Sequence, residues 1–379
     1  QNMKMIYLDN AATSFPKPEA VYSRVDDILR RISGSPGRAS HRMAVEAGRV
    51  VFNAREALAR LLGIPDSSRI AFTRNATEAV NIALKGILKP GDHVVTTTFE
   101  HNSVVKTLKR LEDGGVSVTK VRPDRAGLVR PADILGAIRK ETKLVTVVHA
   151  SNVFGTIEPV EEIGRGCGKR GVYFMVDAAQ TIGAVPVDIG RMEIDIMAAT
   201  GHKALFGPQG TGFIYVRGGI ELDPLIDGGT GDLDTVLEMP DRLEAGTMNM
   251  PGIGGLCAGA EFLLKEGVER VREREIALIE ELLSGLSGMD GVRIIGTLEA
   301  GERASLVAFN VEGALPAEVG RRLDEEFSIL VRSGAHCAPE AHREAGTHPD
   351  GAVRVSPGYF TKPEDIEGFL RAVRTMAKG

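Results

Sequence analysis

The sequence predicts an α/β fold in which helices cover both faces of a mostly parallel central sheet, followed by a smaller α+β domain. Between about residues 65 and 220, short β-rich runs alternate with helical stretches. The predicted strands are almost wholly apolar, which is typical of parallel strands buried on both faces. After Pro251 this alternation stops and a long helical segment begins. These observations together predict two regions of different architecture.

The larger region is built from strand–helix pairs. Its predicted strands cover residues 69–73, 93–98, 143–148, 172–176, 194–199 and 212–216, and its predicted helices cover 76–84, 103–110 and 160–169. Parallel strands joined through helices form right-handed crossovers. In such open sheets, ligands bind beyond the carboxyl ends of the strands. The residues that follow each strand are therefore the first candidates for a functional site.

The smaller region begins with one long helix, from about residue 255 to 286, which we expect to connect two domains. Strands at 292–295, 306–309 and 329–332 follow, with helices starting at Pro316 and Pro363. The predicted division is an N-terminal segment near the active site (residues 1–15), a large α/β domain that holds the site (16–250) and a small α+β domain (251–379).

Composition and charge disfavour several classes of function. A chain of 379 residues buries enough surface to fold without disulfides. Its net charge of −5 provides no basic field for nucleic acid. Cys167, Cys257 and Cys337 form no C-x-x-C pair, so we expect neither a disulfide framework nor a metal site. No apolar run is long enough to span a membrane and no targeting leader is visible, so we expect a cytoplasmic protein.

The stretch ATGHKALFGPQG, residues 199–210, places Lys203 in a glycine-lined turn between two apolar strands. Most lysines are exposed and solvated, and that is the alternative interpretation. Burial would disfavour the ammonium form and lower the pKa of the amine. A lysine that must attack a carbonyl group needs that property.

Polar residues follow the other strands of the large region as well. The candidates are Ala76 and Thr77 at the start of a helix, His101 in Glu-His-Asn, Asn152, and Asp177 with Gln180 in Asp-Ala-Ala-Gln. Each also has a structural interpretation, as a helix cap for Asn75, Thr77 or Asp177 and as a hydrogen-bonded residue for His101. Combined with Lys203, however, they are the groups needed to hold pyridoxal 5′-phosphate. That cofactor carries an aldehyde, a phosphate and a ring nitrogen.

With these motifs, the chain resembles the class V aminotransferases, specifically the cysteine desulfurase and selenocysteine lyase branch of the fold-type I pyridoxal-phosphate enzymes. The resemblance extends from YLDNAAT, residues 7–13, to the final helix. It implies that Lys203 forms the Schiff base, Asp177 pairs with the pyridine nitrogen, Gln180 bonds the phenolic oxygen and His101 stacks on the ring. It also implies a set of phosphate ligands: Thr77, Thr200 and His202, with Gly246 and Thr247 lent by a neighbouring subunit. A homodimer follows from that arrangement.

The stretch VRSGAHCA, residues 331–338, resembles the active-site segment of the group II desulfurases and implies that Cys337 is the nucleophile. Pro339 is well suited to the first position of a helix, which would place Cys337 beside a helix N-terminus. A buried, unreactive cysteine is the alternative, and it suits Cys167 or Cys257 better.

Arg354, in Ala-Val-Arg-Val, matches the arginine that binds the substrate α-carboxylate, a task suited to a planar guanidinium. The resemblance also makes Arg332, Asn152 and His41 candidates for substrate contact. Ala335 departs from the pattern, since related enzymes often have a histidine there. His342, Arg343 and His348 receive no role from the resemblance.

The expected function is conversion of L-cysteine to L-alanine, with Lys203 and His101 moving protons and a persulfide forming on Cys337. A sulfur-acceptor protein is a candidate partner. Selenocysteine lyase, cysteine sulfinate desulfinase and amino-group transfer are the alternatives that keep the cofactor. A non-catalytic scaffold does not explain the combination of lysine, aspartate and arginine. Nucleotide binding is disfavoured because no G-x-x-x-x-G-K-[ST] motif is present.

Overall fold

A computed structural model of the chain describes residues 5–32, 34–36, 41–228 and 237–377. Its strands are β1 (Ile6–Tyr7), β2 (Ile70–Thr73), β3 (His93–Thr97), β4 (Ser117–Val121), β5 (Thr142–Val148), β6 (Tyr173–Asp177), β7 (Ile196–Thr200), β8 (Gly212–Val216), β9 (Val292–Ile295), β10 (Val307–Val311), β11 (Ile329–Leu330), β12 (Arg332–Gly334) and β13 (Ala352–Val355). Its helices are α1 (Glu19–Arg31), α2 (Arg42–Leu62), α3 (Ala76–Ile87), α4 (Asn102–Asp113), α5 (Pro131–Gly136), α6 (Val160–Gly168), α7 (Met250–Glu266), α8 (Val268–Ser287), α9 (Pro316–Phe327), α10 (Pro339–Glu344) and α11 (Pro363–Ala377).

The central sheet has the strand order β2-β8-β7-β6-β5-β3-β4. Neighbours from β7 to β4 are parallel, whereas β8 is antiparallel to both β7 and β2. Successive residues of one strand enter different cores: Phe174 belongs to the core that includes residues of α2, α6 and α7, and Met175 belongs to the core that includes residues of α3 and α4. Helices therefore cover both faces, which confirms the predicted fold class.

The predicted single helix from 255 to 286 is wrong, because the chain forms two helices there. Gly267 separates α7 from α8 with a φ of 85°, a left-handed conformation that glycine adopts without steric cost. Helix α7 packs against α1 and α2 on the large core. Helix α8 packs against β9 and α11 in a second core.

The second core lies on a four-stranded antiparallel sheet of order β12-β13-β10-β9. Leu282, Phe309 and Phe369 are among its fully buried residues. Leu8 also packs in this core, because β1 pairs in parallel with β11. The domain limits inferred from the sequence stay a prediction, and residues 1–4, 33, 37–40, 229–236 and 378–379 of that division lie outside the described residues.

Within the described ranges, no helix is both long enough and apolar enough to cross a bilayer.

Candidate active site

The carboxyl ends of the parallel strands open into a cavity of about 170 Å³. Strand β3 leads to His101, β5 leads to Asn152, β6 ends at Asp177 and β7 leads to Lys203. The cavity brings together these predicted residues: Ala76, Thr77, His101, Asn152, Asp177, Gln180, Thr200, His202, Lys203, Arg332, Cys337 and Arg354. Residues separated by as much as 278 positions (76 to 354) thus meet at one edge of the sheet.

Lys203 is half-buried, with part of its surface on the cavity. Burial, assisted by the positive charge of Arg354, lowers the pKa of the Lys203 amine to about 8, although Asp177 acts in the opposite direction. A substantial fraction of the amine is therefore uncharged at slightly alkaline pH, as nucleophilic attack requires.

Asp177 is buried, and only 2% of its surface is exposed. Its Oδ1 atom accepts a hydrogen bond of 3.0 Å from the backbone N–H of Ala179, so the carboxylate also stabilises the turn that follows β6. Its negative charge acts on both His101 and Lys203. The turn-stabilising interpretation is therefore confirmed, and the functional role of the same side chain stays a prediction.

His101 likewise has a structural contact while lining the cavity. It is the N-cap of α4, and its Nδ1 atom accepts a hydrogen bond of 3.1 Å from the backbone N–H of Ser103. Burial lowers the pKa of the His101 ring, so the imidazole is neutral near pH 7. The cap fixes the ring orientation beside Asp177 and Lys203.

One end of the cavity suits an anion. Asn75 caps α3 by accepting a hydrogen bond of 2.9 Å from the N–H of Glu78, and Ala76 and Thr77, the first residues of the helix, line the cavity. The first N–H groups of a helix have no partner within it and favour an anion. His202 lies at the same cavity, and its buried Nδ1 has no hydrogen-bond partner among the described residues. Burial and two nearby lysines lower the pKa of His202 to about 4, so the ring is neutral and carries an N–H at one of its two nitrogens.

Arg354 is buried on β13, with 1% of its surface exposed. Its Nη1 donates to the carbonyl of Asn152 at 3.1 Å, and its Nη2 contacts Oδ1 of Asp9 at 3.2 Å. Its Nε is buried without a partner among the described residues. Two contacts therefore hold the guanidinium in place, and its Nε is among the N–H donors left for a ligand.

Cys337 is exposed, whereas Cys167 and Cys257 are buried. Burial raises the pKa of each of those two thiols to about 12, which makes them unreactive. Pro339 is the first residue of α10, as its sequence position predicts, and Ala338 is the N-cap. The Nη2 of Arg332 lies 3.7 Å from Sγ of Cys337.

Residues 335–338 form what we call the cysteine turn. His336 and Cys337 have φ values of 49° and 58°, an unusual conformation for residues with a side chain. Each such residue costs of order 1–3 kcal/mol and persists only where its surroundings hold it. The N–H of Asn102 donates to the carbonyl of Cys337 at 2.9 Å, and Nδ2 of Asn152 donates to the carbonyl of His336 at 2.5 Å.

Three predicted site residues do not line this cavity in the described chain. His41 is the N-cap of α2, where its Nδ1 accepts a hydrogen bond from Ala44 at 3.3 Å. Gly246 and Thr247 line a separate cavity that also includes the exposed Leu225 and Ile226. Of the unassigned residues, Arg343 and His348 are exposed and His342 is fully buried.

Sequence reasoning missed Asp9, Ala11 and His336. Asp9 pairs with Arg354, and the carbonyl of Ala11 accepts a hydrogen bond of 3.2 Å from Nε2 of Gln180. Both lie in the YLDNAAT stretch, whose polar residues within an apolar opening segment were the available signal. His336 lines the cavity beside Cys337 and is 4% exposed.

No group of histidine, cysteine, aspartate and glutamate side chains in the described ranges could hold a metal ion.

The chain is similar over nearly its whole length to several proteins named cysteine desulfurase. The chain is 37% identical to a probable cysteine desulfurase of Methanothermobacter thermautotrophicus, over 96% of this chain and 92% of the relative. It is 33% identical to the cysteine desulfurase IscS of Glaesserella parasuis, over 97% and 92% of the two chains. An apo structure of cysteine desulfurase from Thermococcus onnurineus superposes with a TM-score of 0.93 at 34% identity, covering 99% of this chain and 95% of that one.

The sequence model of the family described as Aminotransferase class-V matches residues 6–369. That match covers nearly the whole chain, including every predicted site residue. The chain therefore belongs to the class-V aminotransferase family.

Proposed function

We propose that this protein is a pyridoxal-phosphate-dependent cysteine desulfurase that converts L-cysteine to L-alanine and receives the sulfur on Cys337. The observation that carries the proposal is the meeting of Lys203, Arg354 and an exposed Cys337 around one cavity. The names of the relatives, at 31–37% identity over nearly the full chain, support the same reaction.

The residues present fit the cofactor. The N–H groups at the start of α3, together with Thr200 and the unpartnered Nδ1 of His202, would hold its phosphate. His101 would stack on its ring, and Lys203 would bind its aldehyde. The ring nitrogen would face Asp177, and the phenolic oxygen Gln180. When bound, the cofactor would stabilise negative charge at the carbon that bears the substrate amine.

The substrate would be oriented by Arg354. Asp9 and the carbonyl of Asn152 hold two of its nitrogens, so the guanidinium is already in place when a carboxylate arrives. Burial of an arginine with an unpartnered Nε is costly, and an incoming carboxylate would satisfy that donor.

Proton transfer would use Lys203 and His101. The amine of Lys203, with its pKa lowered to about 8, would accept the proton from the α-carbon. The neutral ring of His101 would carry a proton to or from the reacting sulfur. The Cys337 thiolate would then attack the substrate sulfur, so that an S–S bond forms at Cys337 and the carbon–sulfur bond breaks. The electron pair of the broken bond would stay with the substrate β-carbon, which takes up a proton to become the methyl group of alanine.

Homodimer formation belongs to this proposal. Gly246 and Thr247 do not line the candidate active-site cavity of their own chain but a second cavity, which they share with the exposed apolar residues Leu225 and Ile226. We infer that they approach the phosphate site of a second copy. Sedimentation equilibrium of the purified protein would give a dimer mass, and a monomer with full activity would contradict this part. Cytoplasmic location and transfer of sulfur to an acceptor protein remain expectations.

The decisive experiment is product analysis with cysteine, selenocysteine and cysteine sulfinate in parallel, for the wild type and for Cys337→Ala. Alanine formation from cysteine should fall to background in the variant, because no thiol receives the sulfur. Alanine formation from cysteine sulfinate should continue in the variant, since it needs no thiol nucleophile. The visible absorbance of the bound cofactor should be unchanged. Unaltered turnover of cysteine would refute the role of Cys337. A wild type that acts only on selenocysteine or the sulfinate would establish one of the alternatives.

A further inference from the structure

The cysteine turn receives contacts from two sides. On one side, Asn102 and Asn152 bind the carbonyl groups of Cys337 and His336. Those two hydrogen bonds position the backbone oxygens but leave the ring of His336 to be held by something else. That ring is almost fully buried, although it belongs to a residue with positive φ next to an exposed cysteine.

On the other side, a chain of side-chain hydrogen bonds extends from the ring into the protein. The Nδ1 of His336 lies 3.1 Å from Nε2 of His342, and Nδ1 of His342 lies 2.7 Å from Oγ1 of Thr347. The two rings also lie against each other, with centroids 5.3 Å apart and planes inclined by 30°. We call the three residues Thr347, His342 and His336 the imidazole brace.

Both rings of the imidazole brace are neutral at ordinary pH. Burial and the charge of Arg354 lower the pKa of His336 to about 2, with Arg332 also facing it. Burial lowers the pKa of His342 to about 4, with His348 nearby. The 3.1 Å contact therefore joins a donor and an acceptor nitrogen rather than two cations. Such a bond persists across the pH range in which a thiolate nucleophile would act.

Only one end of the imidazole brace reaches the cavity. Among the described residues that line it are His336 and Cys337, but neither His342 nor Thr347. His342 and Thr347 therefore lie behind the cavity wall, and their side chains are connected to it through the ring of His336. The α10 backbone strengthens the link, because the N–H of His342 donates to the carbonyl of Ala338 at 3.2 Å.

We propose that His342 and Thr347 are positioning residues, which hold His336 and thereby fix the backbone turn that presents the Cys337 thiol to the substrate sulfur. This rests on the proposed role of Cys337 in sulfur transfer. It gives His342, which the sequence left without a role, a specific task in the reaction.

The test uses Thr347→Val in the cofactor-loaded protein, since valine keeps the volume and removes the hydroxyl. Thr142→Val is a matched control: Oγ1 of Thr142 lies 2.7 Å from Nδ1 of His93, and Thr142 and Thr347 are each 8% exposed. That second histidine–threonine pair lies at the amino ends of β3 and β5, away from the cavity. Thr347→Ser retains the hydroxyl and should restore the contact.

Two readouts separate positioning from general damage. Turnover of cysteine by Thr347→Val should fall about 10- to 100-fold, because a nucleophile displaced from its reactive position attacks more slowly. Turnover of cysteine sulfinate should stay within about twofold of wild type, because that reaction needs no thiol. The rate at which iodoacetamide alkylates Cys337 should also change in Thr347→Val and remain at the wild-type value in Thr142→Val and Thr347→Ser.

Three results would overturn the proposal. The first is a Thr347→Val protein that matches Thr142→Val in both cysteine turnover and Cys337 alkylation. The second is an equal loss of cysteine and sulfinate turnover, which would indicate damage to the cofactor site. The third is a Thr347→Ser protein whose cysteine turnover and Cys337 alkylation rate equal those of Thr347→Val. If the wild type does not desulfurate cysteine at all, the proposed function fails, while the alkylation rates still decide whether the brace controls the thiol.

Discussion

The two halves of the candidate site are built differently. Lys203, Asp177 and His101 lie at the ends of parallel strands inside a continuous core, where the sheet fixes their backbone. Cys337 lies on a turn of the second region, in a left-handed conformation, and a few hydrogen bonds hold it there. The groups assigned to the cofactor are thus set by sheet topology, whereas the position of the proposed nucleophile, Cys337, depends on local contacts. Changes at the first should affect every reaction, and changes at the second only those that need a thiol.

Replacing Lys203 tests this difference most strongly. Lys203→Ala should reduce turnover of cysteine, selenocysteine and cysteine sulfinate alike, by about 10³-fold or more, since the general base is lost. Borohydride should fix the cofactor covalently to the wild type but not to the variant, as mass spectrometry would record. A variant that lost only the cysteine reaction would show that the two halves are not independent.

Arg354 belongs to the second region, but in the proposed function it would bind the substrate carboxylate in every reaction. Arg354→Lys keeps the charge and removes the planar fork, so kcat/KM should fall about 10- to 100-fold for all three substrates, corresponding to roughly 1.5–3 kcal/mol for charged hydrogen bonds. The loss should appear mainly in KM. Steady-state kinetics would measure it, and a selective effect on cysteine alone would contradict the assignment to the carboxylate.

The pKa of Lys203 predicts a pH dependence for the binding of the cofactor at the strand ends. The pKa is lowered to about 8, so the neutral amine becomes more abundant as the pH rises through that value. The rate at which cofactor-free protein combines with pyridoxal phosphate should increase about tenfold between about pH 7 and pH 9. Stopped-flow absorbance would follow the reaction. A flat profile over this range would mean that Lys203 is not the reacting amine.

A smaller effect, on stability, is expected from the strands that lead to the cysteine turn. Gly351 has a φ of 81°, and a Cβ atom there would lie 2.1 Å from the carbonyl oxygen of Gly334. Gly313 has a φ of 78° and no atom within 4 Å of the same position. Both Gly→Ala variants should lose about 1–2 kcal/mol of stability for the left-handed backbone. Gly351→Ala should lose about 1–3 kcal/mol more through the clash.

Urea unfolding of the two glycine variants would measure that difference in the free energy of unfolding. Equal losses of unfolding free energy in Gly351→Ala and Gly313→Ala would mean that β12 and β13 separate easily. In that case the cysteine turn tolerates more movement than its hydrogen bonds indicate.

The sequence predicted the half of the site at the strand ends better than the half on the cysteine turn. Alternating strands and helices place Lys203, Asp177 and His101 at neighbouring strand ends, because parallel topology brings those ends together. The pairing of Asp9 with Arg354 spans 345 residues, and no local pattern encodes it. The break at Gly267 was also missed, since an isolated glycine in a helical pattern is often tolerated. The contact between His336 and His342 depends on how α10 packs, which residue spacing alone does not determine.

The first strand has a consequence for how this protein is made. Ile6 and Tyr7 leave the ribosome early, yet their partners in β11 are Ile329 and Leu330, and Asp9 bridges to Ser356. Translation proceeds at about 5–20 residues per second, so the opening segment waits many seconds for its neighbours. Arg354 and Cys337 also arrive near the end of synthesis. A nascent chain therefore has no complete reactive centre until almost all of it has been translated.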